Sequence, residues 1–118
     1  MTRHDDRIPL RHALEAARKA VSETAAWQRS DLDLEDLRTL GLIRLLEIIG
    51  EAAGVVSPEL QQAHPEVPWR KMVGLRNRLI HGYFDVNLDI VWDTLRQDLP
   101  ALAGTLARLL AELDRPSS

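Results

Sequence analysis

The chain has 118 residues, a formal net charge of −3 and no cysteine, so it is long enough for one domain with its own core but cannot form disulfides or use thiol chemistry. The net negative charge argues against extensive coating of nucleic acid, and no apolar run reaches the roughly 18 residues of a membrane span. We therefore expect a single cytoplasmic domain, 1–118, with a frayed tail at 115–118.

The first half of the chain predicts two helices, because apolar residues recur there at helical spacing. The first helix runs from about Ile8 to Trp27. Residues 30–33 then supply turn and cap chemistry, and the second helix runs from about Leu34 to Val56. The apolar stripe of this second helix is broad, which is typical of a helix that packs on more than one side.

Two glycines, Gly41 and Gly50, interrupt the second predicted helix. Each glycine costs about 1 kcal/mol relative to alanine in a helix interior. We expect a close approach of another helix to be the reason for both.

Two helix starts follow in the middle of the chain. Ser57 is predicted as a cap and Pro58 as the first residue of a short helix that ends near His64. Another helix opens at Pro68 and continues through His81, with Gly82 as its natural stop.

The last predicted helix is capped by Asn87 and runs from about Leu88 to Leu113, again with helical apolar spacing. Pro100 lies inside it and predicts a kink or a break. Alanine and leucine dominate the composition, and β-branched residues are sparse. The fold class is therefore predicted to be all-α, an antiparallel bundle of four main helices plus one short helix.

The segment Arg76-Asn77-Arg78-Leu79-Ile80-His81-Gly82-Tyr83 is the most informative part of the chain. The guanidinium of Arg76 can hold phosphate oxygens in a bidentate fork, and the imidazole of His81 can move a proton near neutral pH. Asn77 can orient the imidazole or donate to a phosphate oxygen. Arg78 is an auxiliary cation.

On one continuous helix, Arg76 and His81 lie about 140° apart around the axis, so one helix cannot present both to the same phosphate. Asn77 and His81 would share a face. Either His81 lies at a helix end where the backbone turns, or two copies of the motif meet across a two-fold axis. The alternative without a catalytic role is that His81 lies at a solvated helix C-terminus, which favours the protonated imidazole.

Such a pair suits the cleavage of RNA by its own 2′-hydroxyl. His81 would move the proton and Arg76, with Arg78, would stabilise the negative charge that develops at phosphorus. The expected products are a 2′,3′-cyclic phosphate and a free 5′-hydroxyl, without a metal or a cofactor. Acid–base assistance of this kind is worth about 10²–10⁴-fold.

Two carboxylates on the second helix, Glu47 and Glu51, are four residues apart. One interpretation is that a glutamate pairs with Arg76 and holds it; the other is an ordinary polar stripe. No histidine or aspartate lies at a matching spacing, so we predict no metal site. The three tryptophans, which are Trp27, Trp69 and Trp92, are predicted to anchor the core or an interface.

The motif resembles the R-x4-H-x-Y signature of the HepT-like toxins in the HEPN superfamily. The segments 46–53, 65–70 and 89–92 are also similar to blocks of that family and occur in the same order. The resemblance implies an all-α HEPN bundle that forms a homodimer, with the R-x4-H motifs in a shared cleft. It also implies a metal-independent ribonuclease that acts as the toxin of a toxin–antitoxin pair, with Arg76 and His81 as the catalytic pair and Asn77 in support.

The family partner is an MNT-type nucleotidyltransferase antitoxin, and the resemblance implies that it attaches AMP to Tyr83. Added phosphate would place negative charge and bulk where RNA phosphate should bind. One rival hypothesis is a non-catalytic helical module that binds the nucleotidyltransferase or presents a substrate to it. Another is a purely structural dimerisation unit.

Overall fold

A computed structural model describes residues 4–81 and 85–115, without the side chain of His81. The predicted tail at 115–118 therefore lies almost wholly outside the described residues. The fold is mostly helical, as predicted, and within the described ranges no helix is both long and apolar enough to cross a bilayer. The helices are α1 (Arg7–Glu23), α2 (Leu37–Gly54), α3 (Pro58–Ala63), α4 (Trp69–Val73), α5 (Leu75–Leu79), α6 (Leu88–Asp93) and α7 (Leu99–Leu113).

Three shorter elements join these helices. A 3₁₀ turn, Arg29–Asp31, lies between α1 and α2. The strands β1 (Ile80–His81) and β2 (Asp85–Val86) form an antiparallel pair in which Ile80 lies opposite Val86. A π-helical turn, Thr94–Asp98, joins α6 to α7.

Contacts between helix ends show that the long helices are antiparallel. Asp6, just before α1, accepts a hydrogen bond from the backbone of Ser57, just after α2. Arg11 near the start of α1 lies 3.2 Å from Asp114 at the end of α7. α1 therefore runs against both α2 and α7, as the predicted bundle requires.

The core lies between these three helices and extends under α5. Its most deeply buried large side chains are Leu10, Leu46, Ile49, Leu79, Leu95, Leu99 and Leu106. α2 packs on α1 and also on α4 and α5, which explains its broad apolar stripe.

The two glycines of α2 have different surroundings. A Cβ atom added at Gly50 would lie 2.9 Å from the carbonyl oxygen of Met72, so α2 and α4 touch through bare backbone there. At Gly41 an added Cβ would meet no described atom within 4 Å. The expected close approach is confirmed at Gly50 and is wrong at Gly41.

Two predicted caps are confirmed and one is not. The Ser57 hydroxyl accepts from the Leu60 amide, and Asn87 accepts from the amides of Asp89 and Ile90. The cap of α2 is Asp36 rather than a residue of 30–33, because its carboxylate accepts from the Arg38 amide at 2.9 Å.

The first helix is shorter than its predicted span of Ile8 to Trp27, since α1 ends at Glu23. The Trp27 amide donates to the Thr24 carbonyl oxygen in a tight turn just after the helix. The carbonyl oxygens of Thr24 and Trp27 also accept hydrogen bonds from Arg96 of the π-helical turn. A tertiary contact thus adds to the local hydrogen bonds at this end.

The interruption predicted at Pro100 is present slightly upstream of it. Pro100 occupies the first turn of α7, where its missing N–H is tolerated. The π-helical turn Thr94–Asp98 directly precedes α7 and links it to α6 without a loop. The last predicted helix is therefore one helical path with a π-helical insertion.

The predicted tryptophan anchors are confirmed most clearly at Trp69. This side chain is buried, and its indole nitrogen donates to the carbonyl oxygen of His64 at 3.0 Å. Trp27 and Trp92 are half-buried. The guanidinium of Arg96 lies 4.4 Å from the centroid of Trp92.

Candidate active site

The helix predicted from Pro68 through His81 is wrong in two places. α4 ends at Val73, and Gly74 separates it from α5, which ends at Leu79. The amide of Asn87 donates to the carbonyl oxygen of Leu79 at 2.8 Å, and Ile80 then pairs with Val86. Asn87 and Val86 lie beyond the predicted end of this helix in the sequence. The helical spacing of apolar residues within 68–81 therefore could not show that the backbone becomes extended at Ile80.

This turn of the backbone changes the geometry of the motif. His81 belongs to β1, so Asn77 and His81 do not share a helix face. The angle expected between Arg76 and His81 on one helix no longer applies, because the helix between them has ended. The turning backbone, one of the two arrangements left open by the sequence, is present in the structure. The meeting of two copies across a two-fold axis stays a prediction. The side chain of His81 and all of Tyr83 lie outside the described residues, as do Gly82 and Phe84.

Arg76 lies on the side of α5 that faces α2. Its Nε is 3.8 Å from Oε2 of Glu47, and its side chain is 59% exposed whereas that of Glu47 is 22% exposed. The glutamate is thus the less exposed partner and the guanidinium the more accessible one. This supports the interpretation that Glu47 holds Arg76.

Glu51 has a different neighbour. Its Oε1 lies 3.0 Å from Nη1 of Arg44, which also approaches Glu47 to 3.7 Å. Arg44 therefore joins the two carboxylates on the surface of α2. Our sequence reasoning missed this residue, although a cation three and seven positions before two glutamates on one helix is a recognisable signal.

The other polar residues of the motif point in different directions. Asn77 is exposed. Arg78 is two residues from Arg76, or about 200° around a helix, and lines the opposite side of α5. There it borders a cavity of about 300 Å³ between α4, α5 and the beginning of α7. Arg76 and Arg78 therefore do not converge on one point within a single chain.

The site combines the exposed guanidinium of Arg76 with the short β1–β2 hairpin that carries His81. These two groups decide which chemistry the site can support. Arg76 can bind an anion from solvent, with the Glu47 carboxylate 3.8 Å away. The backbone of His81 is fixed by its pairing with Asp85. A second copy of the chain, related by a two-fold axis, would bring two such sets together.

The sequence comparisons agree on one family. The family model described as "Ribonuclease HepT-like" matches residues 11–109. A protein of Thermococcus cleftensis named "Probable ribonuclease HepT" is 44% identical over 68 residues, which is 58% of this chain and 62% of the relative. The chain thus spans somewhat less than two thirds of that protein.

Two further relatives align over more of their length. A protein of Caldanaerobacter subterraneus subsp. tengcongensis, named as a putative RNase, is 33% identical over 86% of this chain and 90% of its own. A protein of Methanocaldococcus jannaschii with the same kind of name is 33% identical over 86% of this chain and 94% of its own. No solved structure matches the chain significantly.

Proposed function

Because the chain belongs to the HepT-like family of ribonucleases, we propose that it is a metal-independent endoribonuclease that cleaves RNA in a cleft between two copies of its R-x4-H motif. The observation that carries this proposal is the placement of Arg76, which is exposed to solvent, lies 3.8 Å from the Glu47 carboxylate and belongs to the helix that directly precedes the hairpin that bears His81. An accessible cation that a nearby carboxylate can orient is what a phosphodiester site needs.

The reaction uses only groups of the protein and the RNA. A neutral imidazole of His81 takes the proton of a ribose 2′-hydroxyl, and the 2′-oxygen forms a bond to the adjacent phosphorus. The bond from phosphorus to the 5′-oxygen breaks, and a protonated imidazole gives that oxygen a proton. Two copies of the chain supply two imidazoles, so one acts as the base and the other as the acid. Arg76 stabilises the added negative charge on the phosphate oxygens.

The same cleft suggests how the enzyme is restrained. The chain is proposed to be the toxin of a toxin–antitoxin pair whose partner, an MNT-type nucleotidyltransferase, transfers AMP to Tyr83. Tyr83 follows His81 by two residues in the sequence, so AMP on its phenol oxygen would add phosphate to the same motif as the catalytic histidine. Negative charge there competes with RNA for Arg76.

Cleavage of labelled single-stranded RNA, with and without EDTA, tests the nuclease proposal. The wild-type protein should cleave equally in both conditions and leave 2′,3′-cyclic phosphate ends. Arg76→Ala and His81→Ala should each lower the rate by about 10²-fold or more. Arg18→Ala removes an exposed arginine of α1 and should cleave like the wild type. Equal inactivity of all four folded proteins would contradict the proposal.

Intact-mass spectrometry tests the modification separately. Coexpression with an active nucleotidyltransferase of the MNT type should add the mass of one or more adenylyl groups, and Tyr83→Phe should abolish the addition. An unchanged mass, with the partner shown to be active, would remove Tyr83 from the proposal and leave the nuclease proposal standing.

One observation favours a second candidate function. The net charge of −3 suits a helical module that binds a nucleotide through Arg76, next to a nucleotidyltransferase, better than it suits a general RNA-coating protein. This module would bind AMP or ATP in an Arg76-dependent way and would not cleave RNA in the assay above.

A further inference from the structure

Arg78 is the motif residue whose surroundings the proposed chemistry leaves unexplained. Its Nη1 atom is buried and, among the residues that the structure describes, has no hydrogen-bond partner. A buried donor of a charged group is costly to leave unpaired. The Arg78 guanidinium therefore has an unused donor in a residue that borders concave surface.

Arg78 lies where two concave regions meet. One is the cavity of about 300 Å³ described above, and the other is an open groove of about 1030 Å³ along α4. Lys71 also borders both regions. A ligand could thus extend from the groove into the cavity past the Arg78 guanidinium.

The groove has the electrostatic character of an anion site. Arg70, Lys71 and Arg78 line it together with the amides of Gln61 and Gln62, and its described lining contains no acidic side chain. The sequence has no aspartate or glutamate anywhere from 67 to 84, in a chain whose net charge is −3. On the cavity side Lys71 is 3.2 Å from Asp98, so Arg70 and Arg78 are the main cations for a ligand.

The adjoining cavity suits a flat, largely apolar group with a polar edge. Met72, Leu75, Leu99 and Leu102 form apolar walls, which is typical of small-ligand sites. Glu66 and Asp98 also line the cavity and can accept hydrogen bonds from the amino groups of a base. The Thr94 hydroxyl also lines the cavity and donates to the carbonyl oxygen of Ile90 at 2.7 Å, so its oxygen remains available as an acceptor.

We infer that Arg78, with Arg70 and Lys71, binds a phosphate of the RNA strand outside the scissile linkage, and that the cavity receives the adjoining base. This inference rests on the proposed RNA-cleaving function. It assigns Arg76 and Arg78, on opposite sides of α5, to two different phosphates of one strand. The groove cations then act in substrate binding and leave the chemical step to Arg76 and His81.

Binding is measured with a fully 2′-O-methylated single-stranded RNA, which lacks the attacking hydroxyl and lets the intact protein be used. Fluorescence anisotropy should show that Arg78→Gln raises Kd about tenfold or more, as expected for a lost charge-assisted contact. Arg70→Gln and Lys71→Gln should raise Kd by smaller factors, and each should reduce the slope of log Kd against log salt by about 0.7. Arg18→Gln is the matched control and should leave Kd unchanged.

Turnover of cleavable RNA provides the second measurement. The three groove variants should raise KM and leave kcat close to the wild-type value, because they act on binding that is equal in the ground and transition states. A loss of kcat with unchanged KM would overturn the assignment of these residues to a binding subsite.

The outcomes separate this inference from the nuclease proposal. RNA binding that depends on Arg78 without any cleavage would support the subsite and end the nuclease proposal. Cleavage of RNA, together with a wild-type Kd in all three groove variants, would support the nuclease proposal and overturn the subsite.

Failure of the wild type to bind the RNA would overturn both the subsite and the nuclease proposal. Arg78-dependent binding of AMP, with no binding of RNA, would also overturn the RNA subsite. If Arg78→Gln does not fold, the exposed Arg70 and Lys71 decide the question alone.

Discussion

The Nε atom of Arg76 lies 3.8 Å from Oε2 of Glu47, and Arg44 approaches the same oxygen to 3.7 Å. Both arginines are more than half exposed, so neither contact contributes much to the free energy of folding. We propose that the effect of the carboxylate is on the orientation of Arg76, whose guanidinium stays accessible to solvent. In this proposal Glu47 is a positioning residue for the proposed catalytic arginine.

The first prediction follows from this relationship. Glu47→Gln should lower kcat for RNA cleavage by about threefold to tenfold, since a poorly oriented cation stabilises the transition state less. KM and the melting temperature should change little, and Glu47→Asp should restore part of the rate. Steady-state kinetics on labelled RNA check the result.

Glu51→Gln is the matched control, because Glu51 pairs with Arg44 and is 59% exposed. Its kcat should equal that of the wild type. Equal losses in the two variants would mean that the general charge of α2, and not the contact with Arg76, sets the rate.

The second prediction concerns the contact between α2 and α4. Gly50→Ala should lower the free energy of unfolding by about 1–3 kcal/mol, since overpacking costs this much and the new Cβ would lie 2.9 Å from a backbone oxygen of Met72. Urea denaturation measures it. In contrast, Gly41→Ala adds a methyl group that meets no described atom within 4 Å. It should stabilise the protein by up to about 1 kcal/mol through helix propensity.

The third prediction concerns the carboxylate of Asp6, which accepts hydrogen bonds from the backbone and the hydroxyl of Ser57 at 2.8 and 2.6 Å. Partial burial raises the pKa of Asp6, but the hydrogen bonds from Ser57 and His4 outweigh it, and the net pKa lies below the ordinary value of 3.8. The stabilisation is therefore present above about pH 4 and is lost as the pH falls through the lowered pKa.

Asp6→Asn should accordingly lower the free energy of unfolding by about 1–3 kcal/mol near neutral pH. The difference from the wild type should shrink below about pH 4, as urea denaturation over a pH series would show. Glu15→Gln changes an exposed carboxylate of α1 and should show no such dependence. If the difference in the free energy of unfolding between the wild type and Asp6→Asn persisted at pH 2, the stabilising role of the ionised Asp6 carboxylate would be contradicted.

The fourth prediction concerns Arg96, which donates to the carbonyl oxygens of Thr24 and Trp27 and stacks over Trp92. It supplies hydrogen bonds to the carbonyls where α1 ends. Arg96→Ala should cost about 2–4 kcal/mol, since it removes charge-assisted hydrogen bonds and a cation–π contact together. Thermal and urea denaturation measure the loss. Arg108→Ala, at an exposed position of α7, should stay within about 0.5 kcal/mol of the wild type.

Much of the fold was predictable because the signals are local. Apolar spacing located α1, α2 and α7, and the side chains of Ser57 and Asn87 marked two helix starts through hydrogen bonds to amides two or three residues away. The end of α1 was not predictable in this way. Its carbonyl oxygens bind Arg96, which is 72 residues away from Thr24 in the chain.

The candidate site also has some features that the sequence indicates and others that depend on contacts between separate parts of the chain. A contact between a glutamate of α2 and Arg76 was one of two interpretations that the sequence left open, and the structure contains it at Glu47. The end of α5 could not be predicted, because Ile80 leaves the helix to pair with Val86 and the Leu79 carbonyl accepts from Asn87. Residues 68–81 alone carry an apolar pattern that is compatible with an unbroken helix.

The shortness of α5 has a consequence for its two arginines. This single turn and a half is pinned to the core by Leu75 and Leu79, which are 4% and 0% exposed. Any loosening beneath those leucines displaces Arg76 and Arg78 as one rigid unit. A substitution that loosens the packing under α5 is therefore expected to weaken the proposed RNA binding by Arg78 and the proposed cleavage by Arg76 together.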